Sequence, residues 1–110
     1  MADELKLLTQ LKNKERNSID KVIDVYTPYL STVLYNMVGN RLPKEDIEEI
    51  VSDVFVTLWK NAEYIDPAKG TIRSYLAAVC RNLALKRLNK KKDYENLDDI
   101  EVPDQKSTIE

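Results

Sequence analysis

Two groups of side chains in this chain have the types and spacing of binding surfaces. Glu49 and Asp53 lie four residues apart within a helical pattern, beside Val56, so their carboxylates share a face and can accept paired hydrogen bonds from a partner's arginines. Further on, residues 72 to 92 contain Arg73, Arg81, Lys86, Arg87, Lys90, Lys91 and Lys92 with no acid among them, a run suited to phosphate oxygens. Both groups also have plain readings, a solvated acidic face and a soluble helix end. Catalytic chemistry is poorly served. With no His and one Cys, the sequence cannot build a disulfide, a Cys/His zinc site or a nucleophile paired with an imidazole. Glu45, Glu48 and Glu49 lack the Glu-x-x-His pairing of bundle di-metal sites, so no metal, no cofactor and no enzymatic activity are expected.

The formal charge of −2 hides strong blocks. Residues 44 to 53 hold one base against five acids, residues 72 to 92 hold seven bases alone, and residues 93 to 110 hold seven acids against Lys106. A nucleic-acid surface is compatible with that total as long as it is local.

The elements that must carry these groups are helical. The chain has 110 residues, 43% apolar, with two Gly, four Pro and few alternating β-branched stretches, which gives one small all-α domain. Leu5, Leu8 and Leu11 make a short first helix, and Asn17 or Ser18 can cap a second from Ile19 to about Val38. Pro28 is expected to kink that helix or restart it after Thr27, and Gly39-Asn40 to stop it. Pro43 opens a third helix with Glu45 and Asp46 in its first turn. Its stripe of Ile47, Ile50, Val51, Val54, Phe55 and Leu58 must be buried, which turns Glu49, Ser52, Asp53, Val56 and Lys60 outward.

Asn61 to Gly70 reads as a loop, with turn chemistry in Asp66-Pro67-Ala68-Lys69-Gly70, and Thr71 as the cap of a fourth helix. Ile72, Leu76, Val79 and Leu83 form the inward stripe of that helix; Lys86 and Lys90 then occupy the same register, so it runs past the core. Trp59, Phe55 and Cys80 are read as core residues. The domain spans 1–92, and 93–110 is an acidic linker or disordered tail. The longest strictly apolar run, Tyr75 to Cys80, is six residues, and the start is acidic where a signal peptide is basic; a cytoplasmic protein with no membrane partner is expected.

Three stretches in order resemble the sigma-70 family of RNA polymerase sigma factors, region 2 of the extracytoplasmic-function group. Glu45 to Trp59 resembles its acidic helix, Ile65-Asp66-Pro67-Ala68-Lys69-Gly70-Thr71 its F-D-P-x-x-G-S/T loop, and Ile72 to Leu88, with Arg81-Asn82-Leu83-Ala84, its R-N basic helix. Tyr26-Thr27-Pro28-Tyr29-Leu30 fits the start of the region. Ser52 stands where the family usually has Gln, Ile65 where an aromatic is common, and Tyr75 where Trp is usual. The family's second, helix-turn-helix domain has no counterpart here.

The resemblance implies a compact domain of three to four helices that recognises and melts promoters. It implies that Glu49, Ser52, Asp53 and Val56 dock on a helix pair in the clamp of the polymerase's largest subunit, and that an anti-sigma factor is a further partner. It places a pocket for an unstacked base of the single-stranded minus-ten region in the loop Asn61 to Thr71, with Tyr64, Asp66, Lys69 and Thr71. Tyr75 and Asn82, seven residues apart, then share a flank of the fourth helix, where the Asn82 amide can read a base edge. Arg73, Arg81, Lys86, Arg87 and Lys90 would hold phosphates. A helical protein-interaction module without nucleic acid remains the alternative.

Overall fold

The computed structural model describes residues 2–97, and its class is all-α, as the sequence predicts. Four helices follow one another: α1 (Ala2–Lys12), α2 (Arg16–Val38), α3 (Lys44–Asn61) and α4 (Ile72–Leu97), with a 3-10 turn at Ala62–Tyr64 between the last two. α2, α3 and α4 pack on one another in all three pairings, and α1 lies across α2 and the 3-10 turn. Their shared core is aliphatic, centred on Leu11, Leu30, Leu34, Ile50, Leu58 and Leu76. Among the described residues Ser18 is the one buried polar residue, and its hydroxyl donates to the Glu15 carbonyl at 2.5 Å.

Several local expectations change. α2 passes through Pro28 without interruption. A proline inside a helix costs about 3 kcal/mol by losing one hydrogen bond and crowding the carbonyl four residues back. Here the ring lies on the exposed side, while Val22 before it and Leu30 and Leu34 after it are fully buried and anchor both halves to one core. Neither Asn17 nor Ser18 caps the helix, which starts one turn earlier after Glu15. The turn before it is made by Lys14 at φ +60, with Glu15 N–H donating to the Gln10 carbonyl and Lys14 N–H to the Leu11 carbonyl, both at 3.0 Å, as in a Schellman ending of α1. Gly39 ends α2 at φ +58, a backbone state that glycine adopts without strain.

α1 buries Leu8 and Leu11 but leaves Leu5 52% exposed. In α4 the fully buried line is Ile72, Leu76, Cys80 and Ala84, with Val79 and Leu83 only half-buried, so the inward stripe is rotated from the expected one. The small side chains at 80 and 84 let α4 approach its neighbours closely, and the larger Val79 and Leu83 flank the seam. Burial pushes the Cys80 thiol up to about 11, outweighing the opposing charge of Arg81. The helix also continues past the expected boundary at Lys92 as far as Leu97, since no Gly or Pro lies between them. The remainder of the expected tail, 98–110, lies outside the described residues. No helix among the described residues is long and apolar enough to cross a membrane.

Candidate functional site

α3 turns its stripe inward as expected, and Glu49, Ser52, Asp53 and Val56 all remain exposed, Val56 at 46%. Ser52 and Val56 form one wall of an open groove of about 790 Å³ between α2 and α3. Its lining is mainly apolar, with Ile19, Ile23 and Tyr35 from α2 facing Val51, Phe55 and Trp59 from α3, while Arg16, Thr27 and Ser31 interrupt the α2 side. The sequence reading treated Phe55 and Trp59 as core alone. Phe55 is 5% exposed and Trp59 half-buried, so each also presents an edge to this groove. The missed signal is on α2, where Ile19, Ile23 and Tyr35 fall on one i, i+4 row that continues through Thr27 and Ser31, with Ile23 and Tyr35 left exposed.

Glu49 is not unpartnered. The Arg87 guanidinium donates to Asp46 Oδ1 at 2.9 Å and to Glu49 Oε1 at 3.1 Å, bridging α4 to the first turns of α3. Arg87 was expected to hold phosphate, and here it is half-buried and occupied by two carboxylates. Asp46, read only as a favourable charge near a helix N-terminus, is its second partner. Because all three groups keep contact with water, the bridge contributes little: replacing Arg87 by Met, which retains the apolar stem, is expected to lower stability by about 1 kcal/mol or less. The urea midpoint of the variant against the parent, at low and high salt, checks this; the difference should shrink as salt rises.

The second opening lies between the α3–α4 connection and the start of α4, a pocket of about 450 Å³. Tyr64, Asp66, Lys69, Thr71 and Tyr75, all expected as site residues, line it together with Asn61 and Ile65, which fall within the expected loop from Asn61 to Thr71, and Ser74, which was not expected. Tyr64 ends the 3-10 turn and is 76% exposed, its ring open to a stacking partner. The adjacent Glu63 carboxylate raises the Tyr64 phenol above its ordinary value. Asp66 shapes the loop: its Oδ1 accepts from Ala68 N–H and its carbonyl from Lys69 N–H, both at 2.9 Å.

Thr71 and Ser74 cap α4 reciprocally. Ser74 N–H donates to Thr71 Oγ1, and Thr71 N–H donates to Ser74 Oγ, each at 3.0 Å. A Cβ on Gly70 would sit 3.0 Å from that Ser74 Oγ, which explains a glycine here. The pattern T-x-x-S before an apolar run was the available sequence signal for Ser74.

Along α4 the expected residues separate. Tyr75 is half-buried beside the pocket, whereas Asn82, exposed, lies about 10 Å further along the axis and outside the pocket lining. Arg81, Lys86 and Lys90 are exposed. Arg73 is exposed but lies over the Tyr29 ring, 4.3 Å from its centroid. Tyr26 is close by, its phenol raised above the usual value by burial first and Glu4 second, with Arg73 opposing. Lys91 donates to the Arg41 carbonyl at 2.5 Å, steadying α4 on the end of α2.

The described residues thus present a mainly apolar groove beside acidic side chains between α2 and α3, and an aromatic-lined pocket at the head of the cation-rich α4. The Sigma-70 region 2 family matches residues 22–94 of the chain. The chain belongs to that family, and its all-α architecture is that of a sigma region 2 domain. It is 26% identical over 90 residues to the ECF RNA polymerase sigma factor SigW of Bacillus subtilis (strain 168), an alignment covering 81% of this chain and 46% of that protein. The chain thus spans about half the length of that relative. No solved structure matches it.

Proposed function

We propose that this domain gives an RNA polymerase its promoter specificity, docking on the clamp of the largest subunit through α3 and holding the non-template strand of the minus-ten element on the pocket and α4. The carrying observation is the pocket at the head of α4: an exposed Tyr64 ring, Lys69 and capped backbone at Thr71 stand at the start of a helix whose charged side chains through Lys92 are all positive. An unstacked base needs such an aromatic platform, and its flanking phosphates need the cations. Asn82 lies beyond the pocket, where it would meet a neighbouring base. Arg81, Lys86 and Lys90 are the phosphate contacts, while Arg87 belongs to the α3 bridge. Ser52, Asp53, Val56 and the groove beside them form the polymerase surface, and an anti-sigma factor would compete for the same face.

The test is fluorescence anisotropy with a minus-ten-like single strand, a scrambled strand and the duplex, across a salt series. The single strand should bind best, and Tyr64→Ala should weaken it about ten-fold, the loss of one stacked base, with no change in salt slope. Equal affinity for all three nucleic acids, or an unchanged Tyr64→Ala, would overturn the reading, and no binding to any of them would favour a protein-interaction module.

A further inference from the structure

The segment ahead of the family-matched residues 22–94, α1 and the turn that follows it, is tied to both helices that lead into the pocket, α4 and α3. At the start of α4, Glu4 Oε2 accepts a hydrogen bond from Ile72 N–H at 2.6 Å, across 68 positions of sequence. At the end of α3, the Lys14 ammonium donates to the Trp59 carbonyl and stands 4.9 Å from the centroid of the Trp59 ring. Between these ties, α1 packs directly on the 3-10 turn that presents Tyr64, and buried Leu8 and Leu11 fix α1 itself to the core. The connection from Asn61 to Thr71, by contrast, is exposed at all but Ala62 and half-buried Ile65.

We propose that Glu4 is a positioning residue for the base pocket, with α1 acting as a brace that holds the head of α4 and the Tyr64 turn at a fixed separation. This rests on the reading of that pocket given above. The physical case begins with the helix terminus. Ile72 N–H is one of the first amides of α4, with no carbonyl partner inside the helix. The Thr71–Ser74 cap satisfies Ser74 N–H but leaves Ile72 N–H to Glu4. A carboxylate there also meets the positive end of the helix dipole. Without Glu4, the separation of Thr71 and Tyr64 would rest on the loop's own turn and cap and on the burial of Ala62 and Ile72 at its two ends, and a pocket that grips one base needs its walls held to within about half an ångström.

Glu4 does not line the pocket, so it would alter discrimination between bases and leave the phosphate track alone. Two readouts on the full chain separate the brace from the function it serves. Amide hydrogen exchange at Ile72 and across 65–74 reports the tie itself. Anisotropy with the minus-ten-like and scrambled single strands reports discrimination. In Glu4→Ala, exchange at Ile72 should accelerate, the preference between strands should fall about five-fold, the equivalent of one net hydrogen bond, and the salt slope should stay unchanged. Glu4→Gln keeps an oxygen acceptor at the same reach and should restore most of both, which general loosening of α1 would not. Unchanged exchange at Ile72 in Glu4→Ala overturns the brace, and faster exchange with intact strand preference overturns its role in reading. If the parent chain shows no strand preference, the pocket reading fails, and the exchange measurement still decides whether Glu4 holds the head of α4.

Discussion

Replacing Asp53 by Lys is expected to abolish capture of the chain by the clamp helix pair of a polymerase's largest subunit while leaving the helical circular-dichroism spectrum unchanged. Asp53 is exposed on α3, one turn from Val56, and its carboxylate makes no ion pair among the described residues. In a docked complex it would meet a partner's guanidinium, and truncating one member of such a hydrogen-bonded charge pair costs about 2–5 kcal/mol. Reversing the charge adds repulsion, so affinity should fall by at least about thirty-fold. The fold itself should hardly notice, since exposed substitutions stay within about 0.5 kcal/mol. Glu49 is the poorer probe. Its carboxylate is held by Arg87, so Glu49→Lys would place two cations together, and lost binding would mix docking with a broken α3–α4 bridge. Pull-down of a clamp fragment by parent and Asp53→Lys chains decides the matter; undiminished capture would remove α3 as the docking surface.

That contrast marks where sequence reasoning reached and where it stopped. The stripe from Ile47 to Leu58 has an unbroken helical period, and a period fixes which side chains face outward without knowing what lies opposite. Partners across elements carry no such signature. Arg87 sits among cations in sequence, yet its actual neighbours are Asp46 and Glu49, brought near only when α4 packs on α3. Glu4 and Ile72 are further apart still in the chain, and nothing in either residue's local pattern announces the other. Pro28 shows the opposite limit: local chemistry predicted a break, and burial on both sides of it overrode a cost of about 3 kcal/mol. The pocket was half legible. Tyr64, Asp66, Lys69 and Thr71 announced a turn with an aromatic within the loop from Asn61 to Thr71, whereas Ser74 joins it through the way α4 begins, bonded back to Thr71.

The rotated stripe of α4 supplies a means of measuring what the core contributes. Leu5 and Leu34 both belong to apolar helical patterns, but Leu5 is 52% exposed and Leu34 fully buried among α2, α3 and α4 side chains. Leu34→Ala should therefore cost about 2–5 kcal/mol through lost burial and the cavity left behind, a large share of a small domain's stability. Leu5→Ala should stay within about 0.5 kcal/mol. Urea midpoints give the comparison, and Cys80 gives an independent one. Its thiol has no exposed surface and a pKa pushed up to about 11, so the reactive thiolate is scarce and unreachable while the fold is closed. If a disulfide reagent reaches Cys80 only on global unfolding, Leu34→Ala must speed the reaction by the same free energy, about thirty-fold to several thousand-fold. A lowered urea midpoint with an unchanged thiol rate would mean instead that α4 opens on its own around Cys80. The helix proposed to hold the DNA strand would then be separable from the helix proposed to hold the polymerase, and the Arg87 bridge would be too weak to make the two move as one.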